Sequence, residues 1–210
     1  MPAKTTHNPA RPLVLASTSR YRRELLARLA LPFDVAAPGV DETPAPGETP
    51  AATALRLSQA KARAIAAKRS PALVIGSDQV ADLDGEPIGK PGSYENAVAQ
   101  LRRLSGRTVV FHTGVAVCDA ESGRCGARIV DVTSTFRTLT DVEIDRYLRR
   151  EQPFDCAGSV RSEALGIALF ERITSDDPSA LIGLPLIALS ELLRAEGVDV
   201  LAGDTARGAA

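Results

Sequence analysis

Histidine and cysteine are scarce in this chain, with two and three copies in 210 residues. Cys118, Cys125 and Cys156 show no CxxC spacing, and His7 and His112 are the only imidazoles, so a structural zinc site lacks ligands at the spacing it needs. Buried or idle thiols and a fold without covalent staples are the expectation. Net charge is also missing: 25 basic residues stand against 26 acidic ones, for a net −1. That balance argues against a general nucleic-acid or membrane binder and requires any basic site to be a local cluster. Long apolar runs are absent too. Residues 180–189, the most apolar region, are broken by Gly183 and Pro185 and are too short to span a bilayer. Residues 1–12 have no apolar segment of the kind an export signal carries and read as a disordered extension, which points to a cytoplasmic protein.

A hydrophobic content of 44% is enough for one domain, or for two lobes that share a cleft. The stretch LVLASTSRYRRELL, residues 13–26, reads as a buried strand, a hydroxyl-rich turn and a helix capped by Ser19. Arg20, Arg22 and Arg23 then occupy the first turn, where a helix already presents its positive end and carboxylates are the usual choice. An anion held by backbone N–H groups, serine hydroxyls and guanidinium forks compensates for that break, so this turn is a candidate phosphate site. Solvated arginines are the alternative.

Residues 32–40 suggest a strand, and the proline-rich loop after it carries Asp41 and Glu42. Thr49 and Pro50 open an alanine-rich helix to about residue 68, on which Lys61 by itself reads as a surface charge. Residues 73–78 form a buried-type strand that runs out into Asp78, and an acid there needs a partner or water. A type I′ hairpin turning at Asp84 and Gly85 delivers Lys90 in an exposed Gly-Lys-Pro loop. Beyond it lie a helix capped by Ser93, two long antiparallel strands at 108–117 and 128–137, and a helix opened by a Thr140–Glu143 capping box. A polar loop at 155–163, a short strand at 166–170 and a final helix at 185–196 complete the chain, and residues 202–210 read as a frayed tail. The whole is a mixed α/β protein.

Two chemical sets emerge from the strand ends and loops. Ser17, Ser19, Arg22, Arg23, Lys61 and Lys90 are hydroxylic or cationic, while Glu42, Asp78 and Glu163 are anionic. A polyphosphate bound through a divalent cation calls for both. The run LASTSRYRRELL, followed by GVDETP, LRLSQAKA, IGSDQV, GKP, CAGSVRSEALG and LIGLPLIAL in that order, resembles the Maf-like family of nucleoside triphosphate pyrophosphatases over residues 13–201. Within that family, GSDQV and CAGSVRSE resemble the branch acting on 7-methyl-GTP.

The resemblance implies cleavage between the α and β phosphates, as house-cleaning of modified nucleotides. It implies one elongated, two-lobed domain with a central cleft, related to inosine triphosphate pyrophosphatases, and a homodimer with no nucleic-acid or membrane partner. Asp78 matches the proton acceptor; Ser17, Arg22, Arg23, Lys61 and Lys90 match phosphate-binding positions. Glu42 and Asp78 match metal ligands, for magnesium first and manganese or cobalt as alternatives. Tyr21, Gln79 and Glu163 match positions linked to base selectivity. Arg20 stands where the family often has proline, and Tyr21 where that branch can carry tryptophan, a residue this chain lacks. Activity on dTTP, UTP or another noncanonical nucleotide, and a nucleotide-binding role in septum formation without turnover, are the alternatives.

Overall fold

The computed structural model describes residues 11–202. The expected extension and tail, residues 1–12 and 202–210, fall outside the described residues except for Arg11, Pro12 and Ala202. Arg11 is anchored: it donates to the Glu196 carbonyl at 2.7 Å and to the Asp119 carboxylate at 3.3 Å.

In chain order the elements are β1 (Leu13–Ala16), α1 (Arg20–Ala27), β2 (Phe33–Ala36), α2 (Pro50–Ala66), β3 (Leu73–Leu83), β4 (Glu86–Ile88) and α3 (Tyr94–Leu104). They continue with β5 (Thr108–Asp119), β6 (Cys125–Phe136), α4 (Asp141–Glu151), β7 (Phe170–Thr174) and α5 (Leu186–Ala195). One mixed sheet runs β2-β1-β3-β5-β6-β7, with β4 pairing β3. β1 lies parallel to β2 and β3, and every other pairing is antiparallel. Among the described residues no helix is long and apolar enough to cross a membrane.

Period-2 alternation splits the first half of the sheet into two dry faces. Leu13, Leu15, Leu73, Ile75, Val115 and Val117 pack with α1 and α5, while Val14, Ala16, Val74 and Ala116 pack with α2. A separate core under the other half gathers Leu101 and Leu104 of α3, Ile144 and Leu148 of α4, and Phe111 and Phe136 of the long strands.

β3 is the element that makes room for a site. Sequence pattern ended it at Asp78, but the strand runs on to Leu83, eleven residues in all. One edge is taken by β5 along almost its whole length. On the other edge β1 pairs residues 73–76 and β4 pairs residues 81–83, so residues 77–80 have no strand neighbour there. The gap lies beyond the carboxyl ends of the parallel strands, where open α/β sheets hold ligands.

Three other expectations change. β2 stops at Ala36 because Pro38 has no N–H to pair and Gly39 takes φ 59°. Residues 165–169 form a 3₁₀ turn, with β7 beginning after it; the Leu165 N–H is spent on the Glu151 carboxylate at 3.0 Å. Cys118 and Cys125 are not idle thiols but register partners across β5 and β6, joined as a disulfide. The hairpin does turn as expected, with Asp84 and Gly85 both at positive φ.

Candidate active site

At the head of α1, Ser17 Oγ accepts from the Ser19 N–H at 3.1 Å and Ser19 Oγ from the Arg22 N–H at 3.4 Å. Ser19 is the N-cap, and no acid follows it in the first turn. The three arginines diverge. Arg22 turns inward, and its Nε donates to the Gly183 carbonyl at 2.9 Å. Burial draws its pKa down, opposed by the charges of Asp78 and Glu42. Arg20 donates to the Tyr21 hydroxyl at 2.7 Å. Arg23, a further 100° around the helix, is exposed and does not line the cleft.

Helix α2 lies unusually close to the sheet, because two glycines leave it space. A Cβ on Gly76 would come within 2.2 Å of the Ser58 carbonyl oxygen, and one on Gly114 within 2.4 Å of that of Ala54. The approach carries Lys61 inside. The Lys61 side chain is 5% exposed, and its Nζ stands 2.6 Å from Asp78 Oδ1 and 2.7 Å from Glu42 Oε1. Burial pushes the Glu42 carboxyl up, but the Lys61 hydrogen bond and the charges of Lys61, Lys90 and Arg22 outweigh it and leave it below its ordinary value. Both carboxylate oxygens thus converge on the Lys61 ammonium, and hard oxygen donors of this kind also suit a divalent ion whose other ligands are water and phosphate. Among the described residues no group of three or more His, Cys, Asp or Glu side chains forms a metal cage.

A cleft of about 910 Å³ brings together Ser17, Ser19, Tyr21, Arg22, Glu42, Lys61, Asp78, Gln79 and Lys90. Glu163 lines an adjoining pocket of about 100 Å³, which it shares with Tyr21 and Gln79. The Gln79 amide nitrogen donates to the carbonyls of Ala180 and Leu181, at 2.9 and 3.1 Å, and to Thr113 Oγ1 at 3.0 Å. Those acceptors fix the amide, so its Oε1 remains as an acceptor.

The family model described as Maf-like protein matches residues 12–196. The chain belongs to the Maf-like family. A 7-methyl-GTP pyrophosphatase of Thiobacillus denitrificans is 62% identical over 90% of this chain and 94% of its own length. One from a Polaromonas species is 62% identical over 92% and 88%, and one from Bordetella pertussis is 61% identical over 92% and 96%. A solved nucleoside-triphosphatase / dITP/XTP pyrophosphatase from Mycobacterium abscessus covers 67% of this chain at 18% identity and TM-score 0.41, too distant to bear on the site.

This Maf-like protein also holds residues near the pocket that sequence reasoning passed over. The Arg161 guanidinium lies 5.4 Å from the Tyr21 ring centroid, and that of Arg20 lies 4.7 Å from it. Arg161 Nε is also 3.6 Å from Glu163, and its Nη1 donates to Glu151 at 2.6 Å. Its only signal in the sequence was its place two residues before Glu163 in a polar loop. Cys156, at the same pocket, has its thiol pushed up to about 12, chiefly by burial.

Proposed function

We propose that this Maf-like protein hydrolyses 7-methyl-GTP to 7-methyl-GMP and pyrophosphate. The observation that carries this is the Lys61–Asp78–Glu42 cluster, in a cleft that adjoins a pocket lined by Gln79 and Glu163. Arg22, Lys61 and Lys90, with the hydroxyls of Ser17 and Ser19, bind the triphosphate; Arg23, exposed, contributes only through its charge. Asp78 accepts a proton from water as the water oxygen bonds to the α phosphorus. The bond from that phosphorus to the bridging oxygen breaks, and pyrophosphate leaves with the electron pair. Glu42 and Asp78 would hold a divalent cation, magnesium first, which when bound neutralises charge on the phosphate oxygens.

Base selection follows from acceptors and a cation-binding ring. Guanine offers the N1–H and the 2-amino group, two donors suited to Gln79 Oε1 and Glu163. Uracil and thymine offer a single donor, N3–H, between two carbonyl oxygens, so one of the two acceptors would face a carbonyl. Methylation at N7 makes the base cationic, and the Tyr21 ring already stacks with two guanidiniums. A near-zero net charge favours free nucleotide over nucleic acid or membrane as the partner, and we take the enzyme to be cytoplasmic and homodimeric.

The test is pyrophosphate release from equal concentrations of 7-methyl-GTP, GTP, dTTP and UTP with magnesium. The expected result is a preference for 7-methyl-GTP, lost in Asp78→Asn for every base and flattened across bases in Glu163→Ala. Equal or better turnover of dTTP and UTP overturns the substrate assignment. Binding with no turnover of any nucleotide overturns the enzymatic one.

A further inference from the structure

Side chains from three elements converge on the carbonyls of a single turn. Residues Ala180–Ile182 form a 3₁₀ turn closed by Gly183 at φ 116°. The Gly183 carbonyl accepts from Arg22 Nε of α1 and from the Ser77 hydroxyl of β3, both at 2.9 Å; that hydroxyl shares its proton with the Gly114 carbonyl at 2.8 Å. The Ala180 carbonyl accepts from Gln79 Nε2 at 2.9 Å and from the Thr113 hydroxyl of β5 at 3.0 Å. Ser77 and Thr113 are fully buried, at 0% exposure. The turn is itself fastened. Asp177, 2% exposed, accepts from the Ser179 hydroxyl at 2.7 Å with one oxygen and from the Ile187 N–H at 2.7 Å with the other, which ties it to the start of α5.

We propose that the turn at residues 180–183 sets phosphate grip and base reading through separate carbonyls, with Ser77 the positioning residue for Arg22 and Thr113 the positioning residue for Gln79. The roles of Arg22 and Gln79 and the base concerned are taken from the function proposed above; the tethering of both side chains to one turn is not. A carbonyl only accepts, so each one dictates which atom faces it. Removing the Ser77 hydroxyl unties Gly183 from β3 and lets the anchor of the Arg22 fork drift. Removing the Thr113 hydroxyl takes away one of the acceptors that fix the Gln79 amide. The Ala180 and Leu181 carbonyls still take both N–H groups, so the amide keeps its sense but is held less tightly, and Oε1 drifts from the place where it reads the base.

The experiment compares wild type, Ser77→Ala, Thr113→Val and Thr113→Ser in two readouts. One is inhibition by inorganic tripolyphosphate, which has no base; the other is the ratio of kcat/KM for 7-methyl-GTP to that for UTP. Loss of a positioning hydrogen bond predicts a rise of about 5- to 10-fold in the tripolyphosphate inhibition constant for Ser77→Ala, with the base ratio held within about twofold. Thr113→Val does the reverse, lowering the base ratio by about 5- to 10-fold at an unchanged inhibition constant, and Thr113→Ser keeps both at wild-type values. Parallel changes in both readouts for both variants, or no change in either, overturn the proposal. If wild type prefers another base, the substrate assignment fails and the same split is read on the preference it does show. Ser77→Cys, similar in size with a weaker donor, reports the phosphate shift if the alanine variant does not fold.

Discussion

The Lys61 ammonium lies 2.6 Å from Asp78 Oδ1, and both side chains are buried. Removing one partner of such a pair strands the other charge in the interior, which costs about 3–5 kcal/mol. Lys61→Met is expected to lose that much stability in urea unfolding, and Lys61→Met with Asp78→Asn much less. With the ammonium gone, Asp78 and Glu42 face each other across an uncompensated gap. Added magnesium should therefore raise the melting temperature of Lys61→Met more than that of wild type. A loss below about 1 kcal/mol would mean that the pair is effectively solvated.

The packing of α2 on the sheet has its own signature. Gly76→Ala forces a Cβ to within 2.2 Å of the Ser58 backbone oxygen, and backbone at that range has to move. Overpacking predicts a loss of about 1–3 kcal/mol or more, together with reduced turnover as Lys61 is carried away from Asp78. Differential scanning calorimetry beside a turnover assay checks both. Full activity in a destabilised variant would separate the helix position from the chemistry.

Glu48 links the loop bearing Glu42 to α2. Its carboxylate pairs with Arg56 at 2.6 Å and accepts from the Ala45 N–H at 2.9 Å and the Thr53 hydroxyl at 3.0 Å. The Arg56 hydrogen bond, followed by that from Ala45, pulls its pKa from 4.5 down to about 2. A depressed folded-state pKa stabilises fully above the unfolded value, and that contribution is lost as the pH falls from there through the folded one. Wild type should therefore outlast Glu48→Gln in urea at about pH 6, with the difference shrinking toward about pH 2. A difference independent of pH would rule out the ion pair as its source.

Thiol chemistry separates the three cysteines. With the Cys156 thiol held up at about 12, it stays protonated near neutral pH and should alkylate slowly with iodoacetamide, since only the thiolate is nucleophilic. Mass spectrometry should find Cys118 and Cys125 protected until a reductant opens their bond. Rapid labelling of Cys156 in the folded protein would contradict its burial.

Features whose energetics close within a few residues were legible in the sequence. The Ser19 cap, the Thr140–Glu143 capping box and the positive-φ turn at Asp84 and Gly85 all form between neighbours in the chain, so composition at fixed offsets identifies them. The ordered motifs LASTSRYRRELL, GVDETP, IGSDQV, GKP and CAGSVRSEALG carried the resemblance to the Maf-like family, and most of the candidate site residues lie in them.

Tertiary structure alone decided the rest. Lys61 reads as a surface charge on its own helix and becomes buried only because Gly76 and Gly114, on strands distant in the chain, let α2 settle onto the sheet. Arg22 and Arg23 are adjacent in sequence, yet one reaches the Gly183 carbonyl and the other faces solvent. Cys118 and Cys125 meet because the β5–β6 register sets them opposite, which their spacing did not reveal. By itself the sequence determined the local elements and the kinds of side chain available. Which of those side chains share a space free of water depends on long-range packing, where a single small residue on one element sets the depth of a charge on another.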